Sequence, residues 1–450
     1  MDLQALTALV DDDSIDTVLV CMPDMQGRLV GKRFHARFFI DSGGITHACD
    51  YLLANDITME PVPGYQAASW ESGYGDFELR PDFATLRVLP WLPATALVLC
   101  DVIDHHGDPV GHSPRAVLQQ ALARLAEQNL SAKCASELEF YLFDESHAAI
   151  AARDYRTPQL AGHYIEDYHI LQTTREEPLM RAIRNGLQGA GIAVENTKGE
   201  WGPGQAEINV VYDTALAMAD KHVVLKNAIK EMAAEQNKAV TFMAKWRDDL
   251  AGNSCHIHLS LWDALGKENC SFAPGQPHGL SVQMQQFIAG LLRHARELCY
   301  LLAPNINSYK RFQAGTFAPT TCAWSMDNRT AGFRLVGMGS PAVRIECRVG
   351  GADLNPYLAY AGLIAAGLAG IRDQLVLPEP VAGDAYASNT LPVLPGTLRE
   401  ALAVFADSKM LRAALGDAVV DHYVHAGEWE QAQHDAQVTD WELRRGLEQY

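Results

Sequence analysis

The sequence predicts an α+β protein, with a small strand-rich N-terminal domain at residues 1–112 and a large domain at 113–450. Three observations predict it. Before about residue 112 the chain alternates apolar and polar residues and is broken often by turn formers. Beyond that point apolar residues recur at helical spacing over about 116–128, 175–190, 213–237, 280–302, 356–373 and 397–406. Between the helices lie short strand-like segments that place charged residues at every second position. Strands and helices mixed in this way favour an α+β arrangement.

In chain order, residues 16–22 read as a strand and Asp24-Met25-Gln26-Gly27 as the turn that ends it. The stretch 60–82 is rich in glycine, proline and tyrosine, and an irregular segment that long is expected to be functional. A strand at 95–102 follows, and His112-Ser113-Pro114-Arg115 opens the first long helix. Loops are expected at 200–205 and 310–328. Asn355-Pro356 supplies a cap and a first-turn proline for a greasy helix at 357–371, which is shorter than the roughly 20 residues of a bilayer span.

Asp and Glu total 55 against 36 Lys and Arg, a formal net charge of -19. That surplus argues against nucleic acid and against an anionic membrane as the main partner. The first residues form neither a basic leader nor a long apolar run, so a cytoplasmic protein is expected. Nine cysteines without a C-x-x-C pair are expected to be reduced, mostly buried thiols.

Three strands carry unusual side chains. In 135–143 the period-2 pleat puts Glu137 and Glu139 on one face and Leu138 and Phe140 on the other. In 254–261, His256, His258 and Ser260 share a face. In 343–348 the shared face is Arg344, Glu346, Arg348. Each has a plain alternative: a solvated acidic face, a satisfied histidine pair, an ion-pair ladder. Together with Glu200 and Glu207 around Trp201-Gly202-Pro203-Gly204-Gln205, the inventory is five glutamates and one histidine, with Arg311, Arg329, Arg334, Arg344 and Arg348. Hard oxygen donors with one nitrogen suit Mg²⁺ or Mn²⁺, and permanently charged arginines suit phosphate and carboxylate. Phosphoryl transfer from a nucleotide to an acidic substrate is the chemistry this set favours. No Walker A loop, Rossmann fingerprint, nucleophile elbow or kinase signature is present.

Several ordered motifs identify a resemblance to glutamine synthetases of the bacterial class I type. They are Ser136-Glu137-Leu138-Glu139-Phe140-Tyr141, Pro203-Gly204-Gln205-Ala206-Glu207, His256-Ile257-His258-Leu259-Ser260, Asn307-Ser308-Tyr309-Lys310-Arg311, Asn328-Arg329, Arg344-Ile345-Glu346-Cys347-Arg348 and Asn355-Pro356-Tyr357. The resemblance implies a β-grasp-like N-terminal domain and a curved antiparallel catalytic sheet, in stacked hexameric rings whose active sites lie between subunits. It also implies two divalent metals, one on Glu139, Glu200 and Glu207 and one on Glu137, His256 and Glu346. Arg311, Arg348 and Gly252 would hold glutamate; Arg329 and Arg334, with Glu346, would serve the transferred phosphoryl. His258, Ser260 and Arg344 would lie near ATP.

The chain departs from that pattern on the ammonia side. Ammonia-using relatives carry a glutamate six positions beyond the S-Y-K-R arginine, and here that position is Phe317. The acceptor motif D-G-S-S is also missing, with Asp41-Ser42-Gly43-Gly44 in the corresponding region. The expected activity is therefore a γ-glutamyl-amide ligase acting on an organic amine, such as a polyamine, ethanolamine or a small alkyl or aryl amine. Phe317, Trp70, Tyr74 and Asp76 are the candidate amine pocket, with Trp324 as a further wall for a small amine. The alternatives are an ordinary glutamine synthetase and a non-catalytic assembly protein on the same scaffold.

Overall fold

The computed structural model describes every residue except Ser72. Two sheets form it. The first uses β1 (Thr17–Pro23), β2 (Leu29–His35), β3 (Thr46–Cys49), β4 (Asp76–Val88) and β5 (Thr95–Ile103) in the order β2-β1-β5-β4-β3. Its central pair, β1 and β5, is parallel and its other pairs are antiparallel.

The second sheet is built from β6 (Leu130–Phe143), β7 (Val194–Gly199), β8 (Gln205–Val210), β9 (Asp213–Thr214), β10 (Ala239–Thr241), β11 (Cys255–Asp263), β12 (Trp324–Met326), β13 (Phe333–Val336) and β14 (Arg344–Cys347). Its main path runs β12-β13-β14-β11-β6-β8-β7, while β9 and β10 pair with β6. Helices Pro114–Ala126, Ala215–Glu235 and Pro356–Arg372 cover one face. Leu138, Phe140, Ile257 and Leu259 turn toward them, and Ser136 hydrogen-bonds Tyr360 (2.6 Å) and His222 (3.1 Å) there. Period-2 pleating therefore leaves the charged positions of β6, β11 and β14 on the opposite face.

The segment 60–82 is less irregular than expected, because β4 begins at Asp76. Pro81 masks that strand in the sequence, yet it sits in register with Cys100 beside a shift that interrupts the ladder after Asp82. Strand β2 and the C-terminal helices Lys409–Leu415, Asp417–Asp435 and Asp440–Gly446 were also not expected. The helix expected from about 175 starts at Ile170, with Pro178 inside it. The other expected helices fall within a few residues of their places. All nine cysteines are free thiols, seven of them buried. No helix among the described residues is long and apolar enough to cross a membrane.

Two polar clusters tie the first 112 residues to the helices that follow. Arg115 reaches Asp101 (2.5 Å), Asp82 (2.6 Å) and Asp220 (3.1 Å), and Tyr357 donates to Asp220 (2.7 Å). In the second, His422 and His425 bond the carbonyls of Leu53 and Pro63, both at 2.8 Å, and Tyr65 packs between their rings. His112 stacks on His422 at 4.1 Å. Burial pushes His112 down to about 4, and burial with His112 alongside pushes His422 well below its ordinary value.

Both imidazoles are thus neutral when folded and take up protons more readily when unfolded. Their contribution is complete above the unfolded value near 6.5 and is lost as pH falls from there toward 4. Thermal unfolding at pH 7 and pH 5 is expected to show a lower melting temperature at pH 5. The difference is expected to shrink in His112→Phe; an unchanged difference would remove this cluster as its source.

Candidate active site

Register, more than sequence distance, assembles the open face. Glu137 lies opposite His256 on β11 and Asn209 on β8; Glu139 lies opposite Glu207, and His258 opposite Glu346. Arg334 on β13 is paired with Glu346. Residues directly opposite in an antiparallel ladder share a face, so these pairings place glutamates from three strands around one histidine.

Ligand atoms of Glu137, His256 and Glu346 lie within 4.8 Å of one another, as do those of Glu139, Glu207 and His256. The His256 ring approaches Glu137 at 3.2 Å and Glu346 at 3.6 Å. Its protonation is disfavoured first by burial and then by Arg348, so it presents a neutral imidazole. Burial alone would raise Glu137, but hydrogen bonds with His256 and His258 hold it below the usual carboxylate range. The same balance acts on Glu346, where His256 and Arg348 outweigh burial.

The second group is only partly compensated. Burial, then Glu200 and Glu207, raise Glu139 well above the carboxylate range. Burial and Glu200 push Glu207 up to about 8, opposed by Lys198. Lys198, which bonds Glu200, is the nearest cation offsetting this crowd. Carboxylates packed this closely need positive charge, and hard oxygens with one imidazole nitrogen fit a divalent cation.

Arginines rim the face. Arg334 bonds Glu346 (2.9 Å) and Asp327 (2.5 Å), while Arg344 donates to His258 (3.1 Å). Arg311 and Arg348 are 2% and 4% exposed, and the Nε–H of each is buried without a partner. Two orphaned guanidinium donors side by side mark a place shaped for an oxyanion. Gly252 makes room for Arg311, since a Cβ there would come within 2.6 Å of the arginine stem. Gly202 is required for the same reason, a Cβ meeting the Tyr141 hydroxyl at 1.8 Å.

Not every expected residue joins. Arg329 is exposed and makes no hydrogen bond or ion pair among the described residues. Phe317 is 54% exposed in a left-handed conformation (φ 60°), its carbonyl accepting from Arg348 at 3.5 Å. Trp70, 83% exposed, packs edge-on against Tyr74, which packs on Tyr51; Asp76 opens β4 beside them. None of the three makes a hydrogen bond or ring contact with the charged face of its own chain among the described residues. Trp324 is no pocket wall: it is 1% exposed, and its indole N–H is spent on the Pro378 carbonyl.

The structure also adds residues. Gln205 links Glu139 (3.4 Å), the Gly252 carbonyl (2.9 Å) and Asn253 (2.9 Å). Beyond Ser260 the face continues as Lys133, seated 3.6 Å over the Trp262 ring, with Tyr212 stacked alongside. Lys133 stands four residues before Glu137, so strand periodicity alone could have found it.

Residues 111–446 match the family model of the glutamine synthetase catalytic domain, and the chain belongs to the glutamine synthetase family. Its particular kin lie on the γ-glutamylamide side. It is 49% identical over 450 residues, 100% of this chain and 96% of the relative, to gamma-glutamylethanolamide synthetase GlnA4 of Streptomyces coelicolor. It is 36% identical over 447 residues, 98% of this chain and 96% of the relative, to the glutamate–isopropylamine ligase of a Pseudomonas species. Among solved structures it resembles a GmaS/ADP complex with a TM-score of 0.85 at 29% identity, covering 98% of this chain and 99% of that one.

Proposed function

We propose that the protein is an ATP-dependent glutamate–amine ligase that joins the γ-carboxylate of L-glutamate to an organic amine through γ-glutamyl phosphate. The observation that carries the acceptor class is Phe317: an aromatic ring stands where ammonia-using relatives bear a carboxylate, while the glutamates, His256 and the buried arginines are retained. Two relatives, one named for making a γ-glutamylethanolamide and the other for ligating glutamate to isopropylamine, support the same class.

Glu139, Glu200 and Glu207 would hold one Mg²⁺ or Mn²⁺ and Glu137, His256 and Glu346 another, which when bound offset the charge of the nucleotide phosphates. Arg311 and Arg348 take the glutamate carboxylates with their unpartnered Nε–H groups, and Gly252 leaves space beside them. A γ-carboxylate oxygen attacks the terminal phosphorus of ATP, and the bond to the β-phosphate oxygen breaks to release ADP. Arg334 and Arg329 stabilise the charge on the moving phosphoryl. His258, Ser260 and Arg344 bind the nucleotide, and Trp262 with Tyr212 offers its base a flat surface. The amine nitrogen then attacks the acyl carbon, phosphate leaves, and the nitrogen loses a proton.

Trp70, Tyr74 and Asp76 contribute to the amine entrance of a neighbouring copy, in a cytoplasmic dodecamer of stacked rings whose N-terminal domain is residues 1–112. The exposure of Trp70 and Asp76, and the lack of a recorded contact between any of the three and the charged face of their own chain, support this.

ADP release with glutamate, Mg²⁺ and a panel of amines tests the reading. Ethanolamine, a polyamine or an alkylamine is expected to outrun ammonia. Ammonia ahead of every amine would identify an ordinary glutamine synthetase, and no turnover with any acceptor a non-catalytic protein. Phe317→Glu is expected to shift kcat/KM toward ammonia by about tenfold or more, the scale of one added charge-assisted contact. An unchanged ratio would take Phe317 out of acceptor selection.

A further inference from the structure

On the helix-covered side of the second sheet lies a cavity of about 910 Å³ that none of the predicted catalytic residues lines. The turn after β1, the segment around Asn55 and helices Ala215–Glu235 and Asp417–Asp435 enclose it. Its volume is that of a small-molecule site.

Two features of its wall lack partners. Lys226 and Lys230, one helical turn apart, both face it, and neither forms an ion pair with any carboxylate among the described residues. Lys226 donates only to the Ala352 carbonyl (2.7 Å), and both ammonium groups lie over the Phe242 ring, at 5.2 and 5.7 Å. Burial and the neighbouring Lys230 push Lys226 down to about 8, outweighing the raising effect of Asp353 and Asp24, neither of which pairs with it. Asn55, also in the wall, is 4% exposed, and neither its amide nitrogen nor its amide oxygen has a partner. A buried primary amide left wholly unsatisfied costs free energy that a ligand would recover. The rest of the wall combines apolar Val62, Tyr300 and Leu358 with Arg28, Lys310 and the carboxylates Asp56, Asp353 and Glu430, none of which forms an ion pair with either lysine.

We propose that this cavity is a second ligand site, separate from the catalytic face, for a small organic oxyanion with an apolar body. Its carboxylate or phosphate monoester sits between Lys226 and Lys230, Asn55 bonds a polar group on the ligand, and the body lies against Phe242 and Leu358.

Calorimetric titration of the full-length protein with phenylacetate and phenyl phosphate tests this, with inorganic phosphate and benzyl alcohol as head-only and body-only controls. At least one anion is expected to bind saturably at one site per chain, unaffected by saturating ADP. The tighter of the two identifies the head group as carboxylate or phosphate. Lys226→Met, Lys230→Met and Asn55→Leu are each expected to weaken that binding tenfold or more, with kcat for amide formation unchanged. Lys230, exposed to the cavity, serves if Lys226→Met fails to fold. Absence of saturable binding, equal affinity in the Lys230→Met protein, displacement by ADP, or inorganic phosphate binding as tightly as either aromatic anion would each overturn the proposal.

Discussion

Glu139→Gln is expected to lower kcat by a hundredfold or more, the scale of losing one charged group that supports the transition state. The side chain is 7% exposed, it accepts the Ser254 N–H at 2.7 Å, and Glu207 and Glu200 face it. Glutamine preserves shape but removes the charge a divalent cation would require. The metal-free protein is expected to respond in the opposite direction. A carboxyl raised by burial and like charges holds its proton more tightly folded than unfolded, so it costs stability as pH climbs above the ordinary carboxylate value. Glutamine removes that cost, and in the presence of EDTA at pH 7.5 the variant is expected to melt at or above the wild-type temperature. A variant that is inactive and also melts lower without metal would make Glu139 a structural residue.

Arg115→Met is expected to cost about 3–5 kcal/mol, the range for removing one member of a buried charge cluster. Arg115 is 1% exposed, and it is the cation shared by Asp82 of β4, Asp101 of β5 and Asp220 of helix Ala215–Glu235. Without it Asp220, itself buried, keeps only the Tyr357 hydroxyl and is left as an uncompensated carboxylate between the two sheets. Urea unfolding followed by tryptophan fluorescence checks this. The double variant Arg115→Met, Asp220→Leu is expected to recover part of the loss, because no buried lone charge remains. A midpoint unchanged in the single variant would show that the cluster does not hold the sheets together.

Much of the charged face was legible one strand at a time. A two-residue period is a local property, so Glu137 with Glu139, His256 with His258 and Arg344 with Glu346 could be put on common faces from sequence alone. Strong helical periodicity likewise placed the helices ending near 190, 235, 302 and 372. Strand β4 was missed because Pro81 and its polar neighbours erase the alternation, and what makes it a strand is its pairing with β5. The C-terminal helices were missed because most of their surface is polar and a few residues, such as Tyr423 and His422, do the docking.

By itself the sequence determined the donor types, their grouping on faces, the substitution at Phe317 and the acidic balance. Only the tertiary structure decided which faces meet. Register set Glu137 against His256 and Glu139 against Glu207, and it turned Lys198 onto Glu200. Packing buried Trp324, left Arg329 exposed, and stripped the Arg311 and Arg348 Nε–H groups of partners. The physical reason is that pleat and helix period act between neighbours along the chain, whereas charge, burial and unsatisfied hydrogen bonds depend on which strands and loops the fold brings together, whatever their separation in sequence.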